Sequence, residues 1–181
     1  MKNLLNKLVQ CMGLLLLTAS VSVSFAAGSP WTAVASSGTV DESDVSEVQF
    51  TRGVATIKNT APANAVVTLR YNVIATEDLD DGGVNKVLAA RFKDNGNNAQ
   101  VRLELKKYDF NTGVTTVLLR FDSNSVVPSN VYKTASAGDG CWKESFDFYR
   151  YAYYVEATLR RTSTSGYPSL GILKVSDVDV C

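Results

Sequence analysis

The sequence predicts an all-β protein, a single antiparallel β-sandwich, jelly-roll-like or Greek-key, with one disulfide. Apolar and polar residues alternate along eight or so short segments, and turn residues separate these segments. Beyond residue 26 no long stretch repeats its apolar residues at the helical period. Only two cysteines follow residue 26, and a small, even number in an exported chain indicates a disulfide.

The first 26 residues have the pattern of a secretory signal peptide. Lys2 and Lys7 give a positive start, an apolar run follows, and Ser24-Phe25-Ala26 places small residues where a signal peptidase reads. The apolar run is shorter than the ~20 residues of a membrane span. We therefore expect cleavage near Ala26, a secreted or periplasmic protein and no membrane span in the mature chain. The alternative is a retained anchor.

Charge argues against one class of partner. Loss of Lys2 and Lys7 leaves 16 basic residues of the original 18 against 18 acidic ones, a net charge of −2. Nucleic-acid binding requires a basic footprint, so we expect no nucleic-acid partner. The chain has no Asn-x-Ser/Thr sequon, which is consistent with a bacterial source.

Residues 27–43 are small and polar, and we expect an irregular leader there with a short edge strand at Trp31–Ala35. The β-sandwich domain is expected over residues 44–181. Its predicted strands lie near residues 45–51, 54–58, 66–76, 87–93, 101–105, 117–121, 151–161, 170–175 and 178–180.

Three of these strands, between residues 87 and 121, are expected to form a meander. Asn95-Gly96 is a hairpin signal, and Asp109–Gly113 reads as a second turn. Residues 123–143 are rich in Ser and Gly and predict a long connection with weak strand character.

Tyr151–Leu159 alternates in the manner of a central strand. Tyr151, Tyr153, Val155, Ala157 and Leu159 are expected on one face. The predicted disulfide, Cys141 to Cys181, closes a loop around this strand and contributes about 4 kcal/mol in the chain-entropy model. Two separate thiols are the alternative.

Seven aromatic residues crowd into thirteen positions near this strand, more than one buried face can hold. We expect some of them to be exposed, where Tyr and Trp suit sugar-ring stacking or a protein interface. The alternative is a core cluster packed beside the disulfide. The candidates for ligand binding are Trp142, Tyr149, Tyr154 and Tyr167.

The outward positions of the predicted meander are basic, with Arg91, Arg102 and Arg120 in successive strands. If these strands are neighbours, the arginines form one patch that could meet an acidic glycan, lipid phosphates or an acidic protein surface. The alternative is a face that keeps the protein soluble and discourages edge pairing.

The chain contains no histidine, which removes Ser-His-Asp and Cys-His catalysis and the usual zinc sites. Paired carboxylates remain for a glycan hydrolase, with Glu144, Asp147 and Glu156 as candidates. The acidic segment 77–81 predicts either a calcium loop or a solvated turn, and its pattern fails the EF-hand spacing. We expect no cofactor.

The function predicted from these features is non-enzymatic. We expect a small exported β-sandwich that binds a surface ligand, either a glycan or an envelope protein partner. The first alternative is a structural or assembly subunit of a surface structure, which pairs through strand edges. The second is a carboxylate-based glycan hydrolase.

Overall fold

The computed structural model describes residues 29–80, 85–137 and 145–178. These ranges form eleven strands in two antiparallel sheets, so the predicted β-sandwich is confirmed. One helical turn, α1 (Glu77–Asp80), lies between β5 and β6. The strands are β1 (Trp31–Val34), β2 (Thr39–Val40), β3 (Val48–Thr51), β4 (Val54–Ile57), β5 (Val66–Val73), β6 (Asn85–Asp94), β7 (Ala99–Asp109), β8 (Thr115–Asp122), β9 (Ser129–Ser136), β10 (Tyr151–Arg161) and β11 (Ser169–Val178).

The strands divide into a six-stranded and a five-stranded sheet. The six-stranded sheet has the order β3-β4-β11-β6-β9, with β1 also paired to β11, and the five-stranded sheet has the order β2-β5-β10-β7-β8. Leu88 and Phe92 of the first sheet and Leu103 and Phe121 of the second belong to one buried cluster. The rings of Phe92 and Phe121 meet edge to face, with centroids 5.1 Å apart. The core therefore lies between the sheets.

The predicted central strand exists as β10, which lies between β5 and β7. Val155, Ala157 and Leu159 are fully buried, whereas Glu156 and Thr158 between them are half-buried on the outer face. Successive side chains on a strand point to opposite faces, so burial of the inner row fixes the direction of the outer row. This outer row positions the surface described below.

The predicted meander is wrong at its first turn. β6 pairs with β11 and β9 in the six-stranded sheet, whereas β7 pairs with β10 and β8 in the other. Asn95-Gly96 therefore carries the chain from one sheet to the other. A strand that packs on the core from either sheet has the same alternation, so the pattern could not distinguish the two arrangements. The predicted hairpin at Asp109–Gly113 is confirmed as the link between β7 and β8.

Two segments expected to be largely irregular contain strands. The connection at 123–143 includes β9, an edge strand of the six-stranded sheet. The structure also places described residues of the leader within the sandwich, because β1, the expected edge strand, pairs with β11 and β2 pairs with β5. The burial of β9 does not alternate regularly, and β2 has only two residues, so neither strand gives a clear period of two in the sequence.

The acidic segment 77–81, expected to form a calcium loop or a solvated turn, contains the short helix α1. Leu79 is fully buried, and its backbone N–H donates to the carbonyl of Thr76 at 3.0 Å. Burial of the Leu79 side chain stabilises this turn, although the charged residues around it do not favour regular structure.

Several predictions fall outside the described residues, and they stay predictions. They are the signal peptide, the disulfide of Cys141 and Cys181, and the placement of Trp142, Glu144 and Asp81. In the three described ranges, no helix has both the length and the apolar character needed to cross a bilayer.

Candidate aromatic binding site

A depression of about 540 Å³ lies at the end of the five-stranded sheet where β10 begins. We call it the aromatic site. Its volume falls within the range of small-molecule sites, roughly 300–1,000 Å³. The ring of Tyr149 is fully exposed, and Phe110 and Tyr108 are 81% and 43% exposed. Its lining also includes Asn72, Ile74, Phe148, Arg150, Tyr151 and Ala152.

Tyr149 stands on a short turn that Asp147 organises. The Asp147 carboxylate accepts hydrogen bonds from the backbone N–H groups of Tyr149 at 3.1 Å and Arg150 at 3.2 Å. The backbone N–H of Asp147 donates in turn to the Tyr153 hydroxyl at 2.9 Å. The turn is thus tied to β10, and the exposed ring projects from a fixed base. Asp147, one of the predicted catalytic carboxylates, caps this turn.

Phe110 stands on the β7–β8 turn, which Asp109 organises. The Asp109 carboxylate accepts from the backbone N–H groups of Asn111 at 2.8 Å and Thr112 at 3.1 Å. Its other oxygen accepts from the Arg150 guanidinium at 2.9 Å, which joins the two turns of the site. Desolvation alone raises the pKa of Asp109, but the hydrogen bonds from Asn111, Arg150 and Thr112 outweigh it and hold this pKa below its ordinary value.

The remaining aromatic residues of this region support the site from beneath. The rings of Phe146 and Phe148 stack with centroids 5.5 Å apart, and Tyr153 packs against them at 4.4 Å and 5.0 Å. Tyr151 is half-buried, and its ring receives the Lys107 ammonium at 4.8 Å. The aromatic residues of this region therefore form two groups, a packed group beneath the site and a group of exposed rings.

Next to the aromatic site, the outer face of the five-stranded sheet carries a network of ion pairs. Glu156 accepts from the Arg70 guanidinium at 3.1 Å and from the Lys106 ammonium at 2.5 Å. Lys106 also lies 3.1 Å from Glu104, which is the direct cross-strand neighbour of Glu156. Lys106 therefore bridges two carboxylates that face each other. At the β2 edge, Arg70 also pairs with Asp41.

Glu104 receives two further cations, Arg102 at 2.5 Å and Arg120 at 2.8 Å. Desolvation alone raises the pKa of Glu104, but hydrogen bonds from Lys106 and Arg120 outweigh it, so the pKa lies below its usual value. A general acid needs a carboxyl group that keeps its proton near neutral pH, with a raised pKa. Glu104 is therefore suited to an ion network and unsuited to donating a proton.

The structure separates the predicted aromatic candidates. Tyr149 belongs to the aromatic site, and Tyr154 is half-buried on the outer face of β10, opposite Asn72 and Lys106. Tyr167 is 44% exposed near the far end of β10, where its backbone N–H donates to the Asn95 side chain at 2.7 Å. These three residues do not form one cluster.

The basic candidates are also separated, so the single patch expected from the meander is wrong. Arg102 and Arg120 share the outer face of the five-stranded sheet and both pair with Glu104. Arg91 lies on β6 in the opposite sheet, with its guanidinium 5.8 Å from the ring centre of Tyr132. The separation follows from the crossing between sheets at Asn95-Gly96.

Sequence reasoning missed Tyr108, Phe110 and Ile74, which contribute much of the exposed apolar surface of the aromatic site. Phe110 carried a usable signal, because a large apolar side chain within a polar turn has no strand face on which to be buried. Ile74 directly follows β5 and is 65% exposed. Their proximity to Tyr149 depends on the pairing of β10 with both β5 and β7.

The described residues contain no group of three or more His, Cys, Asp or Glu side chains able to hold a metal ion. The predicted calcium loop depends on Asp81 and on the side chains of Asp78 and Asp80, which are outside the described part of the structure. Calcium binding by residues 77–81 therefore stays a prediction.

No protein-family model and no curated protein matches the sequence. Among solved structures, the chain is similar to the C-terminal CBM6 of LamC, a marine laminarinase from Zobellia galactanivorans, with a TM-score of 0.44 and 14% identity over 82% of this chain and 100% of that one. A family two carbohydrate esterase from Cellvibrio japonicus has a TM-score of 0.41 and 12% identity over 83% of this chain, which spans only 34% of the esterase. The xylan-binding module CBM15 has a TM-score of 0.40 and 9% identity, over 74% of this chain and 84% of that module. Such TM-scores and identities are too low to bear on function.

Proposed function

We propose that the protein is an exported, non-enzymatic β-sandwich that binds a glycan at the aromatic site. The observation that carries this proposal is the group of exposed rings, Tyr149, Phe110 and Tyr108, around one depression. Exposed apolar surface is unfavourable in water, and a concentrated patch of it marks a place where something binds.

The chemistry of the rim favours a sugar. Aromatic faces match the apolar C–H faces of a sugar ring, while hydroxyl groups need hydrogen-bond partners at the edge. Asn72, Arg150 and the Tyr hydroxyl groups supply such partners around the depression. Both turns are tied to the sheet by Asp109 and Asp147, so little order has to be gained on binding.

Binding to a glycan array, followed by titration calorimetry of each hit, tests this proposal. Tyr149→Ala and Phe110→Ala are expected to weaken binding by about tenfold or more, the effect of losing ~1.4 kcal/mol. Because both rings are largely exposed, neither change should lower the melting temperature appreciably. Phe50→Ala is the matched control, since Phe50 is 42% exposed on β3 in the opposite sheet.

Two results would contradict the proposal. One is the absence of any glycan hit for the folded mature protein. The other is unchanged affinity in both aromatic variants. If wild-type protein instead captures one envelope protein and Tyr149→Ala loses it, the site binds a protein.

Assembly through strand edges is a second candidate function, and one observation favours it. β8 ends the five-stranded sheet and β9 ends the six-stranded sheet among the described strands, and Val117 and Val131 on them are 39% and 71% exposed. Open edges with apolar side chains can pair with other chains. Light scattering that gives a monomer at all concentrations would count against this function.

The carboxylate hydrolase has less support from the geometry. Asp147 caps a turn, and Glu156 is paired with two cations, Arg70 and Lys106. These contacts hold the two described candidates in structural roles. Glu144 lies outside the described residues.

A further inference from the structure

A second depression, of about 470 Å³, lies on the outer face of the five-stranded sheet towards the far end of β10. We call it the polar groove. We propose that it binds the carboxylate or sulfate group of an acidic sugar residue in the same glycan, an inference that rests on the proposed function. Its lining includes Gln100, Arg102 and Glu104 of β7 and Glu156, Thr158 and Arg160 of β10.

Two arginines flank Thr158 in this groove. Arg102 is the direct cross-strand neighbour of Thr158, and Arg160 follows Thr158 by two residues on the same face of β10. Arg102 and Arg160 therefore occupy diagonal positions on neighbouring strands, roughly 7–8 Å apart, so that both long side chains can reach one anionic group held between them. Guanidinium groups bind carboxylates and sulfates through charge-assisted hydrogen bonds.

Both arginines have unused donors within the described part of the structure. Arg160 is exposed and forms no ion pair with a described residue. Arg102 pairs with Glu104 through one terminal nitrogen, but its Nε is buried with no hydrogen-bond partner among the described residues. A buried donor without a partner is unfavourable, and repacking of Arg102 onto an anion would satisfy it.

The carboxylates of the groove do not oppose an anion strongly, because other cations already neutralise them. Glu156 pairs with Arg70 and Lys106, and Glu104 pairs with Lys106 and Arg120 as well as Arg102. Two further carboxylates lie nearby: Asp41, which shares Arg70, and Asp122, the cross-strand neighbour of Arg102, which accepts a hydrogen bond from Gln100 at 2.8 Å. Arg160 forms an ion pair with none of these four carboxylates. The local field favours a negative group at the Arg160 end.

The polar groove and the aromatic site lie along one line. Ala152 lines the aromatic site, Tyr154 follows it on the outer face, and Thr158 lines the groove. The six residue steps along the strand from Ala152 to Thr158 span about 20 Å. An extended oligosaccharide running along β10 would stack on the exposed rings, cross Tyr154 and present an acidic residue to the two arginines.

The experiment compares oligogalacturonate with its methyl ester, in which the carboxylates are neutral, and with a sulfated galactan of the same length. Calorimetry is run on wild type, Arg160→Gln, Tyr149→Ala and Lys174→Gln. Lys174 is an exposed cation on β11 in the opposite sheet and serves as the control for net charge.

Wild type is expected to bind at least one anionic oligomer about tenfold or more tightly than the neutral ester, the worth of a charge-assisted hydrogen bond. Whether uronate or sulfate binds more tightly identifies the anion. Arg160→Gln should remove this preference and leave affinity for the ester unchanged, whereas Lys174→Gln should keep the preference. The preference should also shrink as salt screens the charges.

Equal affinity for the charged and neutral oligomers would overturn the inference, as would a preference that survives Arg160→Gln. If the neutral ester binds as tightly as the anionic oligomers and Tyr149→Ala abolishes that binding, the proposed function stands while the acidic subsite falls. If none of the oligomers binds and the array gives no hit, both fall. If Lys174→Gln also loses the preference for anionic oligomers, the preference reflects net charge in general, and the inference is overturned.

Discussion

Gly166 lies in the loop between β10 and β11, and it has no space for a side chain. A Cβ added there would lie 1.9 Å from the carbonyl oxygen of Asn98 and 2.7 Å from its carbonyl carbon. Carbon and oxygen atoms normally approach to roughly 3.3 Å, so the two backbone segments must separate by about 1.4 Å. Gly166→Ala is therefore expected to destabilise the protein.

The size of the effect follows from what holds Asn98 in place. Its carbonyl accepts from the backbone N–H of Thr162 at 3.0 Å, and its side chain donates to the Ser165 hydroxyl at 3.3 Å. Loss of the first hydrogen bond costs about 1 kcal/mol, and overpacking costs about 1–3 kcal/mol. We expect a total of about 3 kcal/mol, which lowers the melting temperature by roughly 6–12 °C in a domain of this size.

Thermal and urea unfolding followed by circular dichroism measure this change. Gly171→Ala is the matched control, because a Cβ there would meet the Arg91 carbonyl oxygen only at 3.3 Å, and we expect it to cost at most about 1 kcal/mol. A melting temperature of Gly166→Ala within about 2 °C of wild type would refute the reasoning. So would an equal loss in the two variants, since the steric difference between the sites would then be irrelevant.

Two further predictions concern charge. Lys106→Met leaves two facing carboxylates without the cation between them, and we expect a loss of about 1–2 kcal/mol at pH 7, limited because Lys106 keeps some contact with solvent. Urea unfolding at pH 7 and pH 3 measures it; protonation of the carboxylates should reduce the loss, and a loss independent of pH would contradict this explanation. The folded-state pKa of Asp109 is depressed, so its contribution to stability is present above the unfolded pKa near 3.8 and is lost as the pH falls through the folded pKa. The difference in melting temperature between wild type and Asp109→Asn should therefore be constant from pH 7 to about 5 and decrease below about pH 4; a constant difference down to pH 2 would contradict the assigned cause.

The alternation in β10 shows which features of a strand can be predicted from residues close together in the chain. Val155, Ala157 and Leu159 identify the inner face because a period of two leaves only one side to bury. The same pattern places Tyr154 and Glu156 on the outer face, where the structure has them. These features depend only on neighbouring residues, so one strand is enough to predict them.

The same reasoning could not predict which strands pair with each other. β6 and β7 have equivalent alternation and a good turn between them, yet they belong to different sheets. Choice of partner depends on contacts between residues far apart in the chain, and alternation carries no information on these contacts. The wrong pairing of β6 with β7 also made the predicted basic patch wrong. Arg91 was expected beside Arg102, but it lies in the other sheet.

By itself the sequence determined the fold class, the absence of histidine chemistry, the central strand and the direction of its side chains, because each of these depends on composition or on residues close together in the chain. The tertiary structure alone decided which exposed rings meet. Phe110, Ile74 and Tyr149 come from three distant segments, and they surround one depression only because β10 pairs with both β5 and β7. The pairing of β10 with β7 also places Arg102 opposite Thr158 and therefore close to Arg160. The register between the two strands decides which residues are neighbours, and the packing of the whole core fixes that register.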